Sequence, residues 1–281
     1  MSNSSTSTFG QLPAVTIRAG DGAEATVTLY GGHLVSWRTA DGQERLFCSR
    51  DSALDGSRAI RGGVPVIFPQ FGARGNGMRH GFARVSAWQA GEQGVDNGAA
   101  FAEFTLRHTD LPEAIAAAWP HAFTLRLRVA VRAQALELSL TVHNTGDQVF
   151  PFSAALHTYY KIAQLSAARI DGLQHVRYSD DTPHDALQTE ESLQFADKLD
   201  RIYYQLPGPL TLHAGGSILQ MVQQGFTDAV VWNPGAQDAA ALSDLADDEY
   251  PHFICIEPAL IQPDLLAAGA QWIGRQQLEF I

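Results

Sequence analysis

Between Ala122 and Asn144 the chain reads AFTLRLRVAVRAQALELSLTVHN, and along most of it every second residue is apolar. A period of two is the signature of a strand buried on one face, and it argues against a helix, whose neighbours recur every 3.6 residues. The run predicts a long hairpin with its turn near Ala133 to Ala135. The same alternation, rich in Val, Thr, Leu and Phe, recurs in VTIRAG, EATVTLY, HLVSWR and FAEFTLR. Many such strands in series predict an antiparallel all-β fold. Helix signals are few: DLPEAIAAAW, with Asp110 as a cap and Pro112 and Glu113 in the first turn, predicts one short helix. The polar, acidic stretch from Asn233 to Pro251 reads as a long loop, as does Arg74 to Arg79, punctuated by Gly75 and Gly77.

No repeat, low-complexity tract or linker divides the 281 residues, and all-β folds reach this size undivided. A single domain is therefore expected over residues 12–281, acting as a monomer, behind a disordered or frayed N-terminus at residues 1–11. The opening MSNSSTST lacks the basic start and apolar core of a signal peptide, and no apolar run reaches the roughly 18 residues of a membrane span. A cytoplasmic protein without membrane contact is expected. Cys48 and Cys255 form no CxxC and make no disulfide framework, so both read as buried thiols.

A net charge of −11 argues against nucleic acid as a partner. One window runs the other way. From Gly56 to Gly91 there is no Asp or Glu, yet Arg58, Arg61, Arg74, Arg79 and Arg84 fall within it. The guanidinium fork suits bidentate binding of phosphate or carboxylate. On the residues alone, a solvated basic face and an anion site both remain open.

Two further stretches could carry chemistry. In FSAALHTYY, alternation puts Ser153, Ala155, His157 and Tyr159 on one face and Phe150, Phe152, Ala154 and Leu156 on the other. His157 thus faces away from the most apolar side, beside small neighbours, either as a structural histidine bonded to a carbonyl or as a proton-transfer group. In HFICIEPA, Glu257 lies in a very apolar strand, where a carboxylate needs a partner or a task because desolvation is costly. It either ends the strand in solvent, pairs with an arginine, or couples with His157. There is no HExxH, GxSxG, Walker loop or strand-linked GxGxxG, and the ten histidines lack ligand spacing. No metal and no cofactor are expected.

GGHLVSW, IRGGVPVIFPQFG, HGFAR with Trp88 four residues on, SAALHTYY, LDRIYY, VVWNPG and FICIEPA follow one another across nearly the whole chain. In this order they resemble the glucose-6-phosphate 1-epimerase, or hexose-6-phosphate mutarotase, branch of the aldose 1-epimerase superfamily. The resemblance implies a galactose-mutarotase-like antiparallel β-sandwich with few short helices and a site on its concave face. It implies an isomerase that interconverts the α and β anomers of a hexose 6-phosphate, the small-molecule partner. By matching motifs, His157 takes the general acid position and Glu257 the general base position. Arg61 and Arg84 match substrate and phosphate contacts, Asp200 an acidic residue that binds sugar hydroxyls, and His80 a histidine near the sugar. Position 79 is a contact position too, where some relatives carry glutamine and this chain has Arg79. A non-catalytic sugar-binding module on the same fold is the alternative.

Overall fold

A computed structural model describes residues 4–180 and 186–281. Among them are three antiparallel sheets of four, eight and nine strands, and two short α-helices. The predicted hairpin is there: Phe123–Arg132 and Ala135–Asn144 pair through a two-residue turn in which Ala133 takes a positive φ of 41°. Along the second of these strands Leu136, Leu138, Leu140, Val142 and Asn144 are buried, in step with the alternation. One apolar core, from Val15 through Leu138 to Ile256, draws side chains from all three sheets.

Three expectations are corrected. Residues Ser4–Phe9 are not frayed but form an edge strand on Leu12–Arg18. Alternate hydroxyls pair across strands, Ser7 Oγ with Thr16 Oγ1 at 2.9 Å, and Phe9 packs on Leu12, Val35 and Ile60. Residues 1–3 lie outside the described residues. The short helix spans Glu113–Ala118 after Pro112, but Asp110 caps the turn before it by accepting from the Arg107 N–H at 2.9 Å. The stretch from Asn233 to Pro251 contains the helix Gly235–Ala239, anchored because Asn233 Nδ2 donates to the carbonyls of Tyr250 and Phe253. Among the described residues, no helix is long and apolar enough to cross a membrane.

The element that positions the site is the strand Phe253–Leu266, inside the eight-stranded sheet. Its even residues Ile254 and Ile256 enter the main core. Its odd residues face the other way: Phe253 and Cys255 join one satellite cluster, Ala259 and Ile261 another. Glu257 lies on that second face between the two clusters, so a period of two places a carboxylate where the sheet turns away from the core.

Candidate active site

The strand Phe150–Leu156 pairs with Phe253–Leu266, stops at Leu156, and the chain resumes pairing as Tyr159–Lys161. Register matches Ala155 with Ala259 and Tyr159 with Cys255, which puts His157 opposite Glu257. The expectation of one strand through Tyr159 is corrected here, because at the gap the Thr158 N–H bonds back to the Leu156 carbonyl at 2.9 Å instead of crossing to the facing strand, while the His157 N–H keeps its bond to the Pro65 carbonyl at 3.0 Å on the other edge. The core and cleft faces nevertheless alternate as expected, with Phe150, Phe152, Ala154 and Leu156 in the core.

His157 Nδ1 lies 3.2 Å from Glu257 Oε1, within ion-pair range but out of line for a hydrogen bond. Both Nδ1 and Glu257 Oε2 are buried without a hydrogen-bond partner among the described residues. Burial pushes the Glu257 carboxyl well above its usual range, the charge of Asp200 adds to this, and Arg84 opposes it. Burial also holds His157 well below 6.5, helped by His80, Arg84 and Arg61. An acid that prefers to keep its proton and a base that prefers to lack one therefore share one wall.

Around them opens a cleft of about 630 Å³ lined by all seven residues the sequence singled out: His157, Glu257, Arg61, Arg79, His80, Arg84 and Asp200. Asp200, on Leu199–Tyr203, pairs in register with Trp232 on Asp228–Asn233. His80 is buried with φ 62°, a left-handed conformation that costs a non-glycine residue roughly 1–2 kcal/mol. Its N–H donates to the Gly72 carbonyl at 2.9 Å, and its Nδ1 accepts from the Gly72 N–H at 3.3 Å. Burial, then Arg84, Arg79 and Arg61, pull its pKa down to about 3. His80 is thus neutral with its proton on Nε2, a hydrogen-bond donor beside His157, whose ring centroid is 5.6 Å away.

The arginines divide into two kinds. Arg61 is carried by Arg61-Gly62-Gly63, where Gly62 has φ 121° and any Cβ would run into the backbone of Phe47 and Cys48. Its guanidinium is already engaged, by Asp244 at 3.1 Å and by the Tyr159 hydroxyl at 3.0 Å. Arg84 is half-buried, donates to the Arg79 carbonyl at 3.0 Å, and leaves its Nε without a partner. Among the described residues, neither Arg84 nor the exposed Arg74 and Arg79 meets a carboxylate.

Sequence reasoning missed three neighbours. Asp244 lies in a stretch read only as loop. Tyr159 stacks on His157 with centroids 5.0 Å apart and planes 9° apart, and Trp232 stands edge-on to both rings. Trp232 is partly exposed on the cleft wall. The alternation that singled out His157 and Glu257 also sets Tyr159 and Cys255 on the same faces, and only their roles went unread. Among the described residues, His157, Cys255 and Glu257 are the group whose donor atoms approach closely enough to hold a metal ion.

Comparison with known proteins identifies the class to which this β-sandwich, with a carboxyl and an imidazole facing each other in a polar cleft, belongs. The family model described as aldose 1-epimerase matches residues 13–279, so the chain belongs to the aldose 1-epimerase family and is an epimerase acting on a small-molecule sugar. A protein of Cenchrus ciliaris named "Putative glucose-6-phosphate 1-epimerase" is 34% identical, over 96% of this chain and 85% of that one. An Escherichia coli protein of the same name is 32% identical, over 84% and 79%. The crystal structure of a "putative mutarotase" from Salmonella typhimurium superposes with a TM-score of 0.88 at 26% identity, over 99% of this chain and 93% of that one. Galactose 1-epimerase from Lactobacillus acidophilus shares the fold, with a TM-score of 0.76 at 13% identity over 100% and 99% of the two chains.

Proposed function

We propose that this enzyme interconverts the α and β anomers of hexose 6-phosphates, with glucose 6-phosphate the foremost substrate. The observation that carries this reading is a carboxyl and an imidazole set opposite each other on the wall of a cleft that also presents Arg74, Arg79 and Arg84, which meet no carboxylate among the described residues. Epimerisation at the anomeric carbon requires one group to take a proton and another to give one. Glu257 takes the proton from the anomeric hydroxyl, His157 protonates the ring oxygen, and the bond between the anomeric carbon and that oxygen breaks. The open aldehyde rotates to present its other face, and closure returns both protons.

Only one proton is needed by the pair. Burial favours neutral carboxylic acid with neutral imidazole, whereas the reaction starts from carboxylate with imidazolium. A sugar supplies the difference, because a hydroxyl that donates to the Glu257 carboxylate favours its charged form. In this reading His80 donates to a sugar oxygen from Nε2, Asp200 accepts from hydroxyls, and Arg84 with Arg79 holds the phosphate. Arg61 reaches an anion only by exchanging Asp244 for it.

A phosphorylated sugar does not cross a bilayer unaided, so the reading also places the enzyme in the cytoplasm, working as a monomer with neither nucleic acid nor membrane as a partner. Freshly dissolved α-glucose 6-phosphate, followed by NMR as it approaches anomeric equilibrium, tests the proposal. Wild type is expected to accelerate the approach, and His157→Ala and Glu257→Gln to lower kcat/KM by about 10²–10⁴-fold. Folded wild type that binds the sugar phosphate without accelerating its equilibration would make the cleft a binding site only.

A further inference from the structure

Cys255 has no part in the proton transfers proposed above, yet it is wholly buried directly behind the pair that does. Its register partners are Tyr159 on one side and Trp232 on the other, and it lies two residues before Glu257 on the same face of the same strand. One donor atom each from His157, Cys255 and Glu257 lie within 4.8 Å of one another. We infer that these three side chains form a binding site for a thiophilic divalent cation, of which Zn²⁺ and Cd²⁺ are the chemical type, and that its occupation switches the enzyme off.

The donor set selects that class of ion. Imidazole nitrogen, thiolate sulfur and carboxylate oxygen suit borderline and soft cations and are poor ligands for Mg²⁺ or Ca²⁺, which take oxygen. With Zn–N and Zn–O near 2.1 Å and Zn–S near 2.3 Å, ligand atoms in a tetrahedron sit roughly 3.4–3.7 Å apart. The 3.2 Å between His157 Nδ1 and Glu257 Oε1 is already close to one such edge. The other edges, at most 4.8 Å, close by no more than about 1.4 Å, within the reach of side-chain rotations.

Two independent features point to a ligand here. His157 Nδ1 and Glu257 Oε2 are both buried and both lack a hydrogen-bond partner among the described residues. Neutral imidazole, thiolate and carboxylate together balance a charge of +2, so a bound cation replaces unsatisfied polar atoms by a neutral cluster. Binding releases the thiol proton, and the carboxyl proton where present, to solvent. Asp200 across the cleft favours a cation at this point, while Arg84 opposes it. Three protein ligands leave the fourth position for water or a sugar hydroxyl. The cation ties up the Glu257 carboxylate that is proposed to accept the substrate proton and fixes the His157 ring beside it, so inhibition rests on the function proposed above, whereas binding itself does not.

The test is titration of the full-length, chelator-treated protein with CdCl₂, following the ultraviolet charge-transfer band of a cadmium thiolate, with ZnCl₂ as competitor. Wild type and Cys48→Ala are expected to develop the band to one equivalent, Cys255→Ala to lack it, and Glu257→Gln to weaken binding by at least about tenfold. The Glu257→Gln arm keeps the thiol and so stands even if Cys255→Ala folds poorly. In the anomer assay, Zn²⁺ is expected to inhibit wild type reversibly on addition of EDTA, and to leave Cys255→Ala, itself active within about threefold of wild type, uninhibited. A wild type without the band, or a Cys255→Ala variant that keeps it, overturns the site. A band in an enzyme inactive on every hexose phosphate overturns the proposed reaction and leaves the metal site standing.

Discussion

Burial moves the two members of the His157–Glu257 pair in opposite directions, and pH dependence follows from that sign. A free glutamate and histidine would jointly hold one proton only between about 4.5 and 6.5. With Glu257 raised and His157 lowered, burial leaves the single proton on the carboxyl rather than on the imidazole, and the limits of the one-proton state belong to the pair rather than to either residue. The two limbs of a kcat/KM profile for glucose 6-phosphate should accordingly be those of the coupled pair, so that replacing either residue moves both limbs. Asp200→Asn removes a charge that raises Glu257, so the alkaline limb should move to lower pH; a limb that stays or moves up would show that Asp200 does not act on this proton. Stability follows the same logic. Because Glu257 titrates higher in the folded chain than in the unfolded one, its stabilising contribution is complete below 4.5 and lost as pH rises through the folded value. His157 contributes oppositely, with full effect above 6.5 and loss as pH falls through its depressed value. Glu257→Gln cannot ionise, so at pH 8 it should melt roughly 2–4 °C or more above wild type, and at pH 4 no higher, as measured by calorimetry.

Between elements, the least expected contact is the strap formed by the segment after the helix Gly235–Ala239. Asp244 takes Arg61, Asp248 takes Arg50, and the buried Glu249 accepts from Ser49 Oγ at 2.7 Å and from the Arg50 N–H at 3.1 Å. Asp244 and a substrate phosphate would compete for one guanidinium whose side chain is only 21% exposed. Asp244→Asn should therefore lower KM for hexose 6-phosphates about threefold to tenfold, leave that for the neutral sugar unchanged, and cost about 1–3 kcal/mol of stability for the partner lost by Arg61. A higher KM would instead mean that Asp244 positions Arg61. The strap also marks where the sequence stops being legible. Strands were legible because a period of two records which face is buried, and Glu257 stood out as a carboxylate inside such a pattern. The contact between Asp244 and Arg61 leaves no periodic trace: it joins residues 183 apart in a stretch whose polar composition spells only loop. The break after Leu156 was equally hidden, since FSAALHTYY alternates straight through it and the local bond from the Thr158 N–H to the Leu156 carbonyl leaves no mark in that pattern. Ser4–Phe9 was misjudged because serine and threonine suit a frayed end as readily as an edge strand, and the partner strand decides.

Over the whole molecule, charge is segregated. The chain carries −11 overall, yet the cleft gathers Arg61, Arg74, Arg79 and Arg84 from a window without a single carboxylate. At physiological salt, charges beyond about 8 Å are screened, so a bound phosphate is governed by the arginines in contact with it and little by the acidic remainder. Arg84 is the most consequential of them. A half-buried guanidinium with an unpartnered Nε, donating to one carbonyl and facing no carboxylate among the described residues, has given up hydration that a bound anion would restore. Exposed Arg79 and Arg74 keep their water and contribute less. In the proposed reaction the phosphate lies away from the reacting carbon, so losing its contacts would remove orientation as well as affinity. Arg84→Ala should lower kcat/KM for glucose 6-phosphate by about 10–100-fold, roughly the 1.5–3 kcal/mol of a charge-assisted hydrogen bond, and change that for glucose by less than about threefold. Measured as a ratio of the two sugars, the preference for the phosphorylated one should collapse in Arg84→Ala and shift only slightly in Arg74→Ala. Equal losses on both sugars would mean that Arg84 supports His157 and Glu257 rather than holding phosphate.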